Sequence, residues 1–241
     1  MAFFDFLHEL EDYSPDMVTR MNRRHARIVA PFKEDLVGAQ VLDLAAHDGR
    51  WSYALAEHAE HVIGVEARTD LIDRFAQYPA GPQHGRVKLF CDDIYRDLDK
   101  RLIRDETFDA VMLFGIYYHI MDHYGLLARV TQLEPELIVI DSEFMVDRNP
   151  IIQMVKERTD NPLNAIAQIP GQKVTIKGVP SVGAMERMAD VLGYSCTWVD
   201  WDALPEDQRG TVRDYFRDGE MRRKTCYLRP LPAQDLGELR G

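Results

Sequence analysis

The segment Val41–Ser52 constrains the fold of this chain more than any other. It reads as an apolar strand, a tight turn and the beginning of a helix. A second apolar run, Val62–Val65, follows and ends in an acid, Glu66. In an open α/β sheet this order builds a nucleoside pocket: the loop after the first strand approaches the ligand, and an acid about 20 residues later accepts hydrogen bonds from the ribose hydroxyls.

The composition of that loop argues against a dinucleotide. A pyrophosphate site needs the pattern G-x-G-x-x-G, in which bare backbone N–H groups meet phosphate. Here the turn opens with Asp43, continues through Ala45 and His47, and retains only Gly49. A carboxylate repels phosphate but suits a cation. S-adenosylmethionine (SAM) offers an ammonium and a sulfonium group and no phosphate, so it fits this loop better.

On these residues the chain resembles the class I SAM-dependent methyltransferases, whose first motif is D/E-x-G-x-G-x-G. Ala45 and His47 depart from that motif, whereas Asp48, Gly49 and Ser52 match a variant that reads G-A-x-D-G-x-x-S. The resemblance covers about residues 20–230. It implies a Rossmann-like α/β fold, a seven-stranded and mostly parallel sheet in which strand seven lies antiparallel beside strand six.

The remaining apolar runs support an α/β class, because strand and helix patterns alternate along most of the chain. We predict a single domain over 1–241, with an N-terminal helical cap at 1–37 and a substrate-side insertion at 144–178. The predicted strands are 41–44, 62–65, 87–91, 109–114, 137–140, 195–201 and 224–228. The predicted helices are 51–58, 69–78, 124–133 and 181–192, with a short helical piece near 151–158.

The amino-acid composition limits which kinds of molecule the protein is expected to bind. The net charge of −11 argues against nucleic acid and anionic membranes, since both attract a positive face. Four arginines between 20 and 27 are interpreted as a solvated helix face. No apolar run approaches a membrane span, and the three separated cysteines, each in an apolar run, suggest buried thiols in a reducing cytoplasm. A homodimer is compatible with the sequence.

The resemblance also implies which residues bind the cofactor. Glu66 would bind the ribose, and Asp43 would face the methionine ammonium group. Asp93 and Ile94 match the adenine-binding pair, with Asp92 as the fallback. The remaining cofactor-binding candidates line the first turn or end strand four: Ala45, His47, Gly49 and Phe114.

Catalytic candidates follow strands four and five. Tyr118 and His119 match the G-x-x-Y-H segment of the resembled subset, and a histidine can take a proton near neutral pH. Nearby Asp122 and His123 are candidates to orient His119 or to bind substrate. A second pair, Asp141 and Glu143, points to one side of an extended chain and is suited to sugar hydroxyls, to the role of base, or to Mg²⁺. Which of His119, Asp141 and Glu143 is the base stays open.

The sequence therefore predicts a SAM-dependent O-methyltransferase that acts on a small polar acceptor such as a sugar. Residues 46–52 and Tyr118-His119 resemble sugar methyltransferases of actinobacterial polysaccharide pathways. Two alternatives remain at this point. The same loop variant resembles tRNA wobble-uridine methyl- or carboxymethyltransferases, and the lost glycines are compatible with a non-catalytic SAM-binding subunit.

Overall fold

The central feature of the fold is a seven-stranded sheet with the order β3-β2-β1-β4-β5-β9-β8. It is seen in a computed structural model that describes residues 2–161, 164, 167 and 169–232. The first five strands of the chain run parallel, and β9 lies antiparallel between β5 and β8. The strands are β1 Gln40–Leu44, β2 His61–Glu66, β3 Val87–Cys91, β4 Ala110–Phe114, β5 Leu137–Met145, β6 Ile152–Arg158, β7 Val174–Pro180, β8 Tyr194–Trp198 and β9 Met221–Pro230.

Helices cover both faces of this sheet. They are α1 Pro15–Ile28, α2 Lys33–Leu36, α3 Arg50–Leu55, α4 Thr69–Ile72, α5 Pro82–Arg86, α6 Ile94–Ile103, α7 His123–Thr131 and α8 Val182–Val191. Successive side chains of β4 point to opposite faces of the sheet. Ala110 and Met112 pack with the N-terminal helices and α3, whereas Val111 and Leu113 pack with α6, α7 and α8. This double burial explains the uninterrupted apolar runs of the sequence and confirms the predicted fold class.

The N-terminal segment is helical, as predicted. A 3₁₀ turn spans Phe3–Glu9, and α1 begins after Ser14, whose Oγ accepts a hydrogen bond from the Met17 amide at 3.3 Å. Phe4 is fully buried, and its ring meets the Trp51 ring edge-on at 5.2 Å. The segment is thereby fixed to α3, directly behind the loop that follows β1.

The region after β5 differs from the prediction. The helical piece near 151–158 is wrong, because these residues form β6, which pairs antiparallel with β7 in a separate hairpin. Along β6, Glu157 is buried while its neighbours Lys156 and Arg158 are exposed, which is the two-residue period of a strand. The predicted helix at 69–78 also divides into α4 and a 3₁₀ turn, Asp73–Gln77.

The three cysteines are free thiols with different environments. Cys226 is buried as predicted, Cys196 is half-buried, and Cys91 is exposed, so the prediction of three buried thiols is wrong for Cys91. Within the described residues, no helix has the length and apolar character that crossing a membrane requires.

Candidate active site

The loop after β1 has the backbone of a glycine-rich turn without most of its glycines. The φ angles of Ala45, His47 and Gly49 are 60°, 57° and 77°, all in the left-handed region. Each non-glycine residue in that region costs roughly 1–2 kcal/mol. The Ala46 amide donates to the Val65 carbonyl at 2.9 Å, which holds the loop against β2. The loop therefore keeps the shape that the motif requires despite the departures at Ala45 and His47.

Glu66 ends β2 and faces this loop. Its Oε2 accepts a hydrogen bond from the His47 amide at 3.0 Å, and its Oε1 accepts one from the Arg68 amide at 3.1 Å. The side chain is buried but lies at the mouth of the loop. A carboxylate oxygen has two acceptor sites, so each oxygen retains one for a ribose hydroxyl. These two free acceptor sites fit the two hydroxyl donors of the SAM ribose.

Asp43 is buried below the loop rather than at its surface. Its Oδ2 accepts a hydrogen bond from Ser52 Oγ at 2.6 Å, which links the end of β1 to α3. Burial raises the pKa of Asp43 to about 7, helped by the negative charge of Glu66 and opposed by the Ser52 hydrogen bond. The structure thus gives Asp43 an architectural contact; its predicted role toward the ammonium group stays a prediction.

The acids after β3 contact their own helix. Asp93 caps α6, and its Oδ1 accepts from the amides of Tyr95 at 3.0 Å and Arg96 at 3.2 Å. Asp92 pairs with Arg96 and, at 2.6 Å, with Lys100; the Lys100 hydrogen bond lowers the pKa of Asp92. Ile94 packs into the core. The pair Asp93-Ile94 follows the carboxyl end of β3, whose last residue, Cys91, is paired with Glu66 in the sheet.

An unpredicted cluster ties the N-terminal segment to the first loop. The Tyr13 hydroxyl donates to Asp48 and lies 3.1 Å from the Tyr78 hydroxyl. Arg50 donates to both Asp48 carboxylate oxygens at 2.6 Å. Although burial opposes it, hydrogen bonds from His47 and Arg50 and the charge of Arg50 hold the pKa of Asp48 well below its usual range. The Asp48-Gly49 pair marks this part of the loop in the sequence. Nothing in the sequence indicates that Tyr13 contacts it.

Asp141 lies at the end of the parallel part of β5. Its carboxylate is fully buried and accepts hydrogen bonds from four side chains. It accepts from Arg24 Nη2 at 3.0 Å and from the Tyr215 hydroxyl at 2.5 Å. It also accepts from Thr225 Oγ1 at 2.8 Å and from Arg223. Burial opposes ionisation, but the Arg223 and Arg24 charges lower the pKa of Asp141 to about 2.

The interpretation of the α1 arginines as a solvated helix face is wrong for Arg24 and Arg20. Arg24 is buried against Asp141 and lies over the Trp51 ring at 4.8 Å. Arg20 forms a two-bond pair with Asp214 at 2.6 and 2.7 Å. These side chains are engaged by the protein itself.

Glu143 lies two residues further along β5, nearer solvent. Its Oε1 accepts from Arg217 Nη2 at 2.6 Å. Phe114, which ends β4, is mostly buried, and its ring contacts the Trp51 ring at 5.4 Å. Among the described residues, no group of three or more His, Cys, Asp or Glu side chains is arranged to hold a metal ion.

His119 lies on a 3₁₀ turn, Tyr117–His119, directly after β4. The imidazole is buried, and Nδ1 lies 2.8 Å from Oε2 of Glu157, a residue of β6. The other Glu157 oxygen pairs with Lys177 of β7 at 3.1 Å. Burial lowers the pKa of His119, while the Glu157 carboxylate opposes that shift.

Asp122 and His123, the candidates to orient His119 or to bind substrate, make their hydrogen bonds to groups other than His119. Asp122 caps α7 through the Gly125 amide at 2.9 Å. His123 is buried with its ring nitrogens 3.1 Å from the carbonyls of Met121 and Gly178. The sequence did not indicate Glu157 as a partner of His119, because the two are 38 residues apart and Glu157 was assigned to a helical piece.

Comparison with known proteins agrees with this geometry. Residues 41–133 match the family model described as a methyltransferase domain. No curated protein matches the chain.

Several solved structures share the fold. The N-terminal domain of EvdMO1, determined in the presence of S-adenosylhomocysteine (SAH) and D-fucose, is 19% identical with a TM-score of 0.61, over 88% of this chain and 83% of that one. The DhpI–SAH complex is 16% identical with a TM-score of 0.53, over 95% and 89%. Magnesium protoporphyrin IX methyltransferase (ChlM) from Synechocystis PCC 6803, with bound SAM, is 11% identical with a TM-score of 0.55, over 95% and 86%.

The match of residues 41–133 to a methyltransferase domain and the sheet order, which is shared with solved methyltransferase structures, support a SAM-dependent methyltransferase.

Proposed function

We propose that this enzyme transfers the methyl group of SAM to a hydroxyl of a small polar acceptor, a sugar or sugar-like molecule, with His119 as the general base. The observation that carries the proposal is the buried His119–Glu157 pair at the carboxyl end of β4. That strand adjoins β1, whose loop is the predicted cofactor site. Ligands of open α/β sheets bind at this edge, where the strand order reverses.

The chemistry requires removal of one proton. SAM, when bound, supplies an electrophilic methyl group; the acceptor hydroxyl must lose its proton as its oxygen attacks. Burial lowers the pKa of His119, so the imidazole is neutral and able to accept that proton at neutral pH. A positioned base contributes typically 10²–10⁴-fold to such a reaction.

The two carboxylates are weaker candidates for the base. Asp141 is fully buried behind four hydrogen-bond donors, and its pKa of about 2 gives it little affinity for a proton. Glu143 is engaged by Arg217. Its partly exposed position suits contact with acceptor hydroxyls instead.

The acceptor class is supported by charge and by one relative. The net charge of −11 and the internally paired Arg20 and Arg24 disfavour a polyanion such as tRNA. The EvdMO1 domain was crystallised in the presence of SAH and D-fucose, and we extend that pairing to this chain as part of the proposal. The preserved left-handed loop favours a working SAM site over a degenerate subunit.

The test is transfer of radiolabelled methyl from SAM to D-fucose and a panel of other free sugars and glycosides. His119→Ala should lower kcat by about 10²-fold or more while SAH affinity stays within about threefold. The acidic limb of the wild-type kcat/KM profile should disappear in this variant. His61→Ala, at an exposed histidine that begins β2, is the control and should behave as wild type.

Labelling of RNA with no labelling of any sugar would contradict the acceptor assignment. Retention of most activity in His119→Ala, or a loss of SAH binding parallel to the loss of rate, would remove His119 from the role of base.

A further inference from the structure

The hairpin β6–β7 contributes one side chain that reaches the proposed base. We propose that Glu157 is a positioning residue for His119, holding Nδ1 as the proton donor so that Nε2 faces the acceptor as the base. This inference rests on the proposed function in that it assigns His119 the role of base. It assigns the hairpin a part in catalysis.

The geometry is that of a fixed pair rather than a surface contact. The side chains of His119 and Glu157 are only 6% and 3% exposed, and the Nδ1–Oε2 distance is 2.8 Å. An ionised carboxylate is an acceptor only, so Nδ1 must carry the hydrogen. A neutral imidazole then has its lone pair on Nε2, which makes no hydrogen bond to any described residue.

Lys177 holds the carboxylate in place from the other strand. Its ammonium lies 3.1 Å from Glu157 Oε1 and 4.6 Å from the centre of the Tyr118 ring. The Tyr118 ring in turn lies 3.9 Å from the His119 ring. Both carboxylate oxygens of Glu157 are thereby engaged, one toward the base and one toward Lys177.

The charges around the imidazole oppose one another. Burial disfavours the imidazolium, Glu157 and the more distant Glu143 favour it, and Lys177 disfavours it. When His119 accepts the acceptor's proton, Glu157 stabilises the positive charge that forms. A neutral residue at position 157 would keep the shape of the site but lose that stabilisation.

The decisive measurement is an NMR titration of the protein labelled with ¹⁵N in its histidines, which needs no acceptor. Glu157→Gln should lower the pKa of His119 by about one unit or more, because an opposite charge in contact is removed. Lys177→Met removes a like charge and should raise the same pKa. Two shifts of opposite sign cannot come from general loosening of the hairpin. In wild type, the ¹⁵N shifts of neutral His119 should report hydrogen on Nδ1.

Activity provides the second readout. Glu157→Gln should lower kcat by at least about tenfold with SAH affinity unchanged, and should add little to the loss in His119→Ala, because residues that act as one unit are not additive. An unchanged His119 pKa in Glu157→Gln, or hydrogen on Nε2 in wild type, would overturn the inference even if His119 proves to be the base. Conversely, the expected NMR shifts with full activity in His119→Ala would confirm the charge coupling but overturn both the positioning role and the base assignment.

Discussion

Replacing Asp141 by Asn should reveal whether this acid serves the fold or the reaction. The carboxylate is fully buried and lies against two guanidinium groups, those of Arg24 and Arg223, whose side chains are 9% and 11% exposed. An amide of the same size keeps one acceptor oxygen but removes the negative charge. Two buried cations would then face each other without their counter-ion.

The expected cost follows from that geometry. Breaking a buried ion pair from one side costs about 3–5 kcal/mol, because the remaining charge is left uncompensated. In a domain of 150–250 residues, each kcal/mol shifts Tm by about 2–4 °C. Asp141→Asn should therefore lower Tm by about 6–20 °C.

Thermal and urea unfolding followed by circular dichroism measure this effect. Glu143→Gln is the matched control: it makes the same chemical change on the same strand, but its partner Arg217 is 41% exposed. A pair of that exposure contributes about 0–1 kcal/mol. If Asp141→Asn unfolds at the same temperature as Glu143→Gln while activity is lost, the buried network is not structural and Asp141 belongs to the catalytic groups.

The ion pairs of Asp141 with Arg24 and Arg223 also predict that the stability of the fold decreases at acid pH. The folded-state pKa of Asp141, about 2, lies below its ordinary value of about 3.9, so its contribution is present above pH 4 and is lost as pH falls toward 2. At 1.36 kcal/mol per unit this is on the order of 2–3 kcal/mol. The gap in stability between wild type and Asp141→Asn should narrow by about that amount between pH 5 and pH 2.

Two further predictions concern the cofactor loop. Glu66→Ala should weaken SAH binding at least about tenfold in calorimetry, because a charged hydrogen-bond acceptor is removed. The control Glu60→Ala, at an exposed residue, should leave SAH affinity unchanged. Equal SAH affinities in the two variants would exclude Glu66 from the ribose site. Ala45→Gly should leave the free energy of unfolding unchanged or raise it by up to about 1 kcal/mol, since glycine accepts the φ of 60° without strain. The control Ala128→Gly, within α7, should lower it by about 1 kcal/mol. A larger loss of stability at position 45 than at position 128 would contradict the strain inferred for the loop.

The strands of the sheet could be predicted from the residues alone, and the candidate cofactor site is predicted from residues that are close together in the chain. Continuous apolar runs such as that of β4, which is buried along its whole length, arise only where helices cover both faces, and they mark strands without knowledge of any contact. The loop from Asp43 to Gly49 and the acid Glu66 are local in sequence, so spacing alone indicates a nucleoside site. The parts of the protein that local chemistry controls were predictable from the residues in order.

The contacts of the polar side chains, by contrast, depend on how the strands and helices pack together. Asp141 and Glu143 look equivalent in sequence, yet one meets buried arginines and the other a partly exposed one. The partner of His119 comes from β6, and a helical pattern was expected there because the segment is short and carries mixed residues. A buried charge is stable only with a partner in contact, and contacts between residues far apart in the chain arise only when the strands that carry them have been brought together.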